Sequence, residues 1–305
     1  MGSFEKTNMH FYETSKYYGD VENSCSRDLE VGKRESVEKL DNYSKDYPNE
    51  IGNVENGQEI AERMHVQTKE HALEKYGYTM SETQKQRLEN ENSKELVSVI
   101  SSNEYSERYN PDISVKGHCD SEGNIVMRDG DESFIKHVTV HETMHYSSFR
   151  ENALSGSSEC IRSGLRETRF EDGVAVEDNN RAINEGFTEM YTNEELLRNG
   201  NKEALNSLSA YSESQFWAKR LESIAGKEKV ERAYFGGESE PLKREVNRLS
   251  KSENGWDEFS KNIDILEYSD GEDTDSYIHR AIAKRELDEQ YSLMLKNMFE
   301  MQEVE

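Results

Sequence analysis

The chain has 305 residues, with 38 Lys and Arg against 63 Asp and Glu, and a formal net charge of −25. Phosphate backbones and anionic lipid repel such a surface, so nucleic acid and membrane are excluded as expected partners. Three scattered cysteines, Cys25, Cys119 and Cys160, with no Cys-x-x-Cys, exclude a disulfide scaffold or a structural zinc knuckle.

Residues 1–56 read as a polar leader. Only nine of them are Leu, Ile, Val or Phe, below the roughly 20% share associated with disorder. The start of the chain has no apolar signal core, so the expected location is cytoplasmic as synthesised, with export by a signal-independent route left open. From Gly57 to Tyr76 the apolar spacing is helical, with Gly77 as its stop. Ser81 to Gln84 has the pattern of a capping box, with Leu88, Leu96 and Ile100 following on a second helical stretch. Residues 112–118 and 124–128 read as a β-hairpin.

Asp129-Gly130-Asp131 marks a turn and a helix start, and Phe134, Ile135, Val138, Met144 and Phe149 give that helix an apolar face. An insertion over 151–181 begins with a flexible Leu154–Ser158. It continues as a second hairpin, Ile161–Phe170 and Val174–Glu177 around an Asp172-Gly173 turn. Arg162, Arg166 and Arg169 there either meet carboxylates or stay as solvated edge charges. Beyond Thr192, helices are expected near 202–213, 214–225, 227–236, 239–251 and 275–302, with stops at Gly226 and Gly236-Gly237. Trp217 and Trp256 are expected in the core, and Asp270–Asp275 is expected as a solvated acidic loop. The fold class is α+β: mostly helical, with a small antiparallel sheet or hairpins and a helical C-terminal part.

The chemistry concentrates in His141-Glu142-Thr143-Met144-His145. Residues i and i+4 of a helix lie on one face, which sets two imidazoles where they grip one metal ion. Glu142 projects beside the pair, the spacing of a zinc site whose glutamate activates water. Catalytic zinc takes a third protein ligand. Downstream, in Asn184-Glu185-Gly186-Phe187-Thr188-Glu189, two carboxylates again share one helical face.

His-Glu-x-x-His followed by Asn-Glu-Gly-Phe-x-Glu resembles the gluzincin metallopeptidases over residues 113–200. The resemblance implies a zincin-like catalytic core. It makes Glu185 the third zinc ligand, supports His141 from behind with Glu189, and places Asn184 in the surrounding shell. It also implies an edge strand beside the cleft that receives an extended substrate; residues 124–128 are the first candidate. Glu185 follows His145 by 40 positions, a longer gap than in thermolysin-like members and the large aminopeptidases.

The function expected from these residues is zinc-dependent hydrolysis of peptide bonds by a metal-activated water, with Glu142 as general base, Zn2+ as cofactor and a peptide or protein as substrate. Tyr211 is the first candidate to stabilise the oxyanion, followed by Tyr191 and His279. The alternatives are a non-catalytic interaction protein with a degenerate zinc site, a zinc amidase, and an effector toxin with one target. His137 lies one turn before His141 and is expected in a supporting or solvent-facing role, as is His118. His65 and His71 belong to no constellation. Residues 57–305 are expected to form the catalytic domain, with an active-site half over 57–200 and a helical half over 201–305.

Overall fold

The structure is a computed structural model and describes residues 54–109, 115–120, 123–153, 158–171, 174–206, 211–269 and 274–302. The expected leader, apart from its last residues, and most of the acidic stretch Asp270–Asp275 lie outside the described residues.

The molecule is built around helix α5 (Glu132–Ser148). Asp131 starts it by accepting the Phe134 N–H at 2.8 Å, and Glu132 adds negative charge where the helix dipole is positive. From Ile135 to Ser148 every residue but His145 is buried. A helix buried all round must be enclosed by other elements. Helix α1 (Val54–Tyr76) covers one side. Within α5, Thr139, Thr143 and Ser147 each donate a hydroxyl to the carbonyl four residues back, at 2.7, 2.7 and 2.8 Å. The Thr143 proton is thereby committed, so its oxygen accepts from His65 Nδ1 of α1 at 2.8 Å. His65 also meets Glu91, which Lys69 approaches at 3.1 Å. The sequence shows no constellation for His65 because its partners, Thr143 and Glu91, come from two other elements far along the chain.

The expected start at Ser81 is observed: Ser81 and Gln84 form a reciprocal capping box on α2 (Glu82–Asn90). The helical reading through Ile100 is corrected. After the short α3 (Ser93–Leu96), Val97–Ile100 is strand β1, alternating buried and half-buried, with β-branched residues at three of four positions. Helix α4 (Ser102–Arg108) follows, then β2 (Gly117–Cys119) and β3 (Ile125–Arg128). The last two form the expected antiparallel hairpin, Gly117 opposite Met127. The strand order is β1-β3-β2, with β1 parallel to β3. Residues 125–128 therefore form the central strand, not an edge, and of the hairpin's two strands β2 is the edge one.

The insertion is larger than one hairpin. Strands β4 (Phe149–Ala153), β5 (Ser158–Ser163), β6 (Arg166–Glu171) and β7 (Val174–Asn179) form a four-stranded antiparallel meander. The run Ile161–Phe170, read as one strand, turns at Gly164-Leu165. Gly164 has φ +61°, and a Cβ there would lie 2.2 Å from Asn184 Oδ1, so only glycine fits this corner. Arg162, Arg166 and Arg169 pair with Glu167, Asp178 and Glu177 of the same sheet at 3.1, 2.7 and 3.1 Å.

Helix α6 (Arg181–Arg198) packs on α5. Within the 202–213 stretch, Lys202–Asn206 is a short 3-10 turn in place of an α-helix and α7 (Ser212–Ala225) begins at Ser212, while 207–210 lie outside the described residues. Helices α8 (Lys227–Tyr234), α9 (Ser239–Ser250) and α11 (Thr274–Gln302) agree with expectation. Helix α10 (Gly255–Tyr268) was not expected. One apolar core runs from Ile60 to Met294 and includes Trp217 and Trp256, 0% and 2% exposed. No helix among the described residues is long and apolar enough to cross a membrane.

Candidate metal centre

The two motif segments meet. His141 and His145 project from one face of α5, and Glu185 projects from α6. His141 Nε2 and His145 Nε2 are 3.2 Å apart. Glu185 Oε2 lies 3.2 Å from the first and 3.1 Å from the second. Protons serve this triangle poorly, because two ring N–H groups aimed at one carboxylate oxygen crowd each other and a bare ring nitrogen there gains no donor. A cation satisfies all three atoms. Tetrahedral ligation with bonds of about 2.0–2.1 Å separates neighbouring donor atoms by about 3.3 Å, close to the spacing found. The donor set of two imidazoles and a carboxylate fits a divalent ion, and with only three protein ligands it leaves a coordination position for water or substrate.

The ligand orientations are themselves held. His141 Nδ1 lies 3.2 Å from Glu189 Oε2, one turn beyond Glu185 on the same face of α6. With Nδ1 donating to Glu189, the Nε2 lone pair is free to ligate. Glu189 Oε2 also meets His137 Nε2 at 3.1 Å, and its Oε1 accepts from Asn193 at 3.1 Å. His137 Nδ1 is 3.0 Å from the Ala204 carbonyl. Both His137 nitrogens thus face acceptors, and this ring braces Glu189. His137, His141 and Glu189 form a second set whose potential donor atoms lie within 4.8 Å of one another, but all three are buried, and Glu189 is already divided among three partners. His145 is held more loosely: its Nδ1 has the Ser163 and Thr188 hydroxyls at 3.4 and 3.5 Å.

Burial opposes charge on Glu185, yet His145 and His141 hold its carboxyl well below the usual carboxylate range. Burial likewise opposes ionised Glu189, but His137 and His141 bring it down to about 2. His141 is disfavoured as a cation by burial, and Glu185 and Glu189 nevertheless raise it to about 10. Without a metal ion the ring keeps a proton, so metal entry displaces that proton.

Helix α6 is positioned by distant side chains. Asn180, just before it, has φ 61° and gives its start no side-chain cap. Its own side chain donates to the Leu165 carbonyl at 3.2 Å and accepts from Trp256 Nε1 at 3.0 Å. Asp264 of α10 does the capping, accepting the Ala182 N–H at 2.8 Å. Asn184 points to the β5–β6 turn, where it accepts the Leu165 N–H at 2.9 Å. Gly186 lets α7 approach, since a Cβ there would lie 2.3 Å from the Ser214 carbonyl oxygen.

Glu142 is buried beside the ligand pair. Burial pushes its carboxyl up, His141 and His145 pull it back, and the Cys119 backbone of β2 donates to it. Of the three oxyanion candidates, Tyr211 alone reaches the cluster. It stacks on His141 with centroids 5.7 Å apart and planes 15° apart, and it holds a left-handed φ of 60° at the start of α7. Tyr191 sits in the aromatic core against Tyr76, Tyr234 and Phe235, and His279 is exposed on α11. His118 bonds Tyr105 at 2.8 Å and takes no part in the cluster.

Sequence reasoning missed Ser163, Thr188 and Asp264, none of which belongs to a motif by its residue type. Thr188 alone carried a signal, lying one turn after Glu185 inside the segment already singled out. The chain matches no protein-family model, no curated protein and no solved structure. What the residues establish is an α+β protein with a buried His/Glu cluster able to hold a metal ion.

Proposed function

We propose that the chain is a zinc-dependent metallopeptidase. One observation carries the reading: His141, His145 and Glu185 close to a triangle of 3.1–3.2 Å with a second, buried carboxylate, Glu142, beside it. The same donor set holds iron in some oxygenases, but a basic carboxylate between the ligand histidines serves hydrolysis and has no place in that chemistry.

A zinc ion held by His141, His145 and Glu185 would supply Lewis acidity toward the scissile carbonyl and would make a water molecule at the site more acidic. Glu142 takes a proton from the attacking water and hands it to the leaving nitrogen. Its accepted bond from Cys119 and its burial fix where that proton is held. The Tyr211 hydroxyl donates to the developing oxyanion. A non-glycine residue with positive φ is strained by about 1–2 kcal/mol, and such strain clusters where a side chain must be aimed. The Cys119 backbone N–H of β2 donates to Glu142, which ties that strand to the general base.

The test is metal analysis of the purified chain together with profiling on an unbiased peptide library. About one zinc per chain and chelator-sensitive cleavage are expected, and Glu142→Gln should keep the zinc and lose turnover. A Glu142→Gln protein that cleaves at the wild-type rate would sink the mechanism.

A further inference from the structure

We infer that Arg181 recognises a carboxylate of the substrate, so that the site selects peptides bearing a carboxylate one or two residues from the bond it cuts. The inference rests on the peptidase reading above and names its substrate class.

Arg181 is the first residue of α6 and lies four before Glu185, on the same helical face. Its guanidinium lies over the Tyr268 ring, 4.5 Å from the centroid. Arg181 is half-buried, yet among the described residues it has no carboxylate within ion-pair distance. The anions around it are committed elsewhere. Asp178 is taken by Arg166 through two bonds of 2.7 Å. Asp264 accepts the Ala182 N–H. Glu185 is turned to His141 and His145, though it lies within electrostatic range of both arginines.

A half-buried guanidinium with no ion-pair partner gains by meeting an anion, and its planar fork matches a carboxylate in two-point fashion. Tyr268 covers one face of the group and leaves the N–H edge for a ligand. One helical turn spans about 5.4 Å, and an extended peptide advances about 3.3–3.6 Å per residue. A carboxylate at Arg181 therefore belongs to a residue one or two steps from the scissile bond, either as an acidic side chain or as the chain's C-terminus. This preference runs against the net charge of −25, which by itself draws in basic peptides. A local cause is thus separable from a global one.

The experiment uses the zinc-loaded full chain carrying Glu142→Gln and titration calorimetry. One set of N-acetylated, C-amidated peptides moves a single Glu through every position, with Gln counterparts. A second set leaves the C-terminus free. Glu or free-acid peptides should bind about ten- to hundredfold tighter than their neutral counterparts, and the set that shows the ratio identifies the source of the carboxylate. Added Arg181→Gln should bring the ratio to about one, and Arg181→Lys should retain part of it. Melting temperatures identify a variant that fails to fold, and the ratio in the parent then decides. Equal binding of charged and neutral peptides, no binding of either set, or a preference that survives Arg181→Gln overturns the inference. Turnover is read separately with Glu142 intact: absence of hydrolysis there defeats the peptidase reading while leaving a charge preference in binding on its own footing.

Discussion

Replacing Glu189 by Gln separates charge from shape at the carboxylate behind His141. The glutamine oxygen can still accept from His141 Nδ1 and His137 Nε2, now 3.2 and 3.1 Å from Oε2. What is lost is the negative charge facing two imidazoles in a site where Glu189 is 4% exposed. Changing a residue that orients a metal-bound histidine costs about 10–100-fold in metal affinity, or about 1.4–2.7 kcal/mol. Competition against a chromophoric chelator should therefore show the zinc Kd rising by that factor. Fold stability should fall as well. Removing one partner of a buried charge pair costs about 3–5 kcal/mol, and the lower end applies because both hydrogen bonds can persist. For a domain of this size that lowers Tm by about 6–12 °C. Zinc affinity and melting that both match wild type, alongside a His141→Ala control that loses zinc, would refute the account of Glu189 as the group that fixes His141.

Asp264→Asn tests the distant cap. Burial raises the Asp264 carboxyl to about 6 from 3.8, although the Ala182 N–H opposes the shift. The folded chain therefore binds this proton more tightly than the unfolded chain, and the residue's contribution to stability falls as pH rises from about 3.8 to about 6. Asparagine removes the dependence, so the variant should gain on wild type by up to about 3 kcal/mol at pH 7 and much less at pH 4.5. Equal differences at the two pH values in denaturant titrations would exclude this. Gly186→Ala places a Cβ 2.3 Å from the Ser214 oxygen and should cost about 1–3 kcal/mol; because the shift falls beside Glu185, zinc retention after dialysis should drop with it. Tyr211→Phe should lower kcat by about 10²–10³-fold with KM little changed. An equal rise in KM would instead mark Tyr211 as a residue that binds the substrate ground state.

The ligand pair was legible because helix periodicity is local: five consecutive residues suffice to stack His141 over His145, and Asp131 announces where their helix begins. Glu185 and Glu189 were legible for the same reason. Their convergence on α5 was not, since neither spacing nor composition says how two helices whose ligands lie 40 residues apart will dock. The contacts that join them are His137 and His141 to Glu189 and the ligand triangle itself, while Gly186 against α7 and the Asn184 bond to Leu165 fix α6 from its other sides. The strands were harder to read. Val97–Ile100 follows helical residues without a break, and its strand state depends on parallel pairing with β3, a non-local contact. Helix α10 escaped notice because its apolar residues Trp256, Phe259, Ile263 and Leu266 are interleaved with charge in a segment that opens on glycine.

The difference between these two kinds of residue bears on where the site's rigidity originates. Every atom of the His141, His145 and Glu185 triangle comes from two helices, but the groups that hold those helices come from elsewhere: Asp264 from α10, Trp256 through Asn180, Ser163 from β5, and the Ala204 carbonyl through His137. Each is a single bond worth about 1 kcal/mol net, so none alone creates the site. Together they remove the freedom of α6 to slide or rotate against α5, and a metal site tolerates errors of only about 0.5 Å before affinity falls. The C-terminal helices, which contribute no ligand, are on this account part of the metal centre. A chain truncated before α10 should lose zinc affinity even where α5 and α6 remain intact, since Asp264 and Trp256 leave with it.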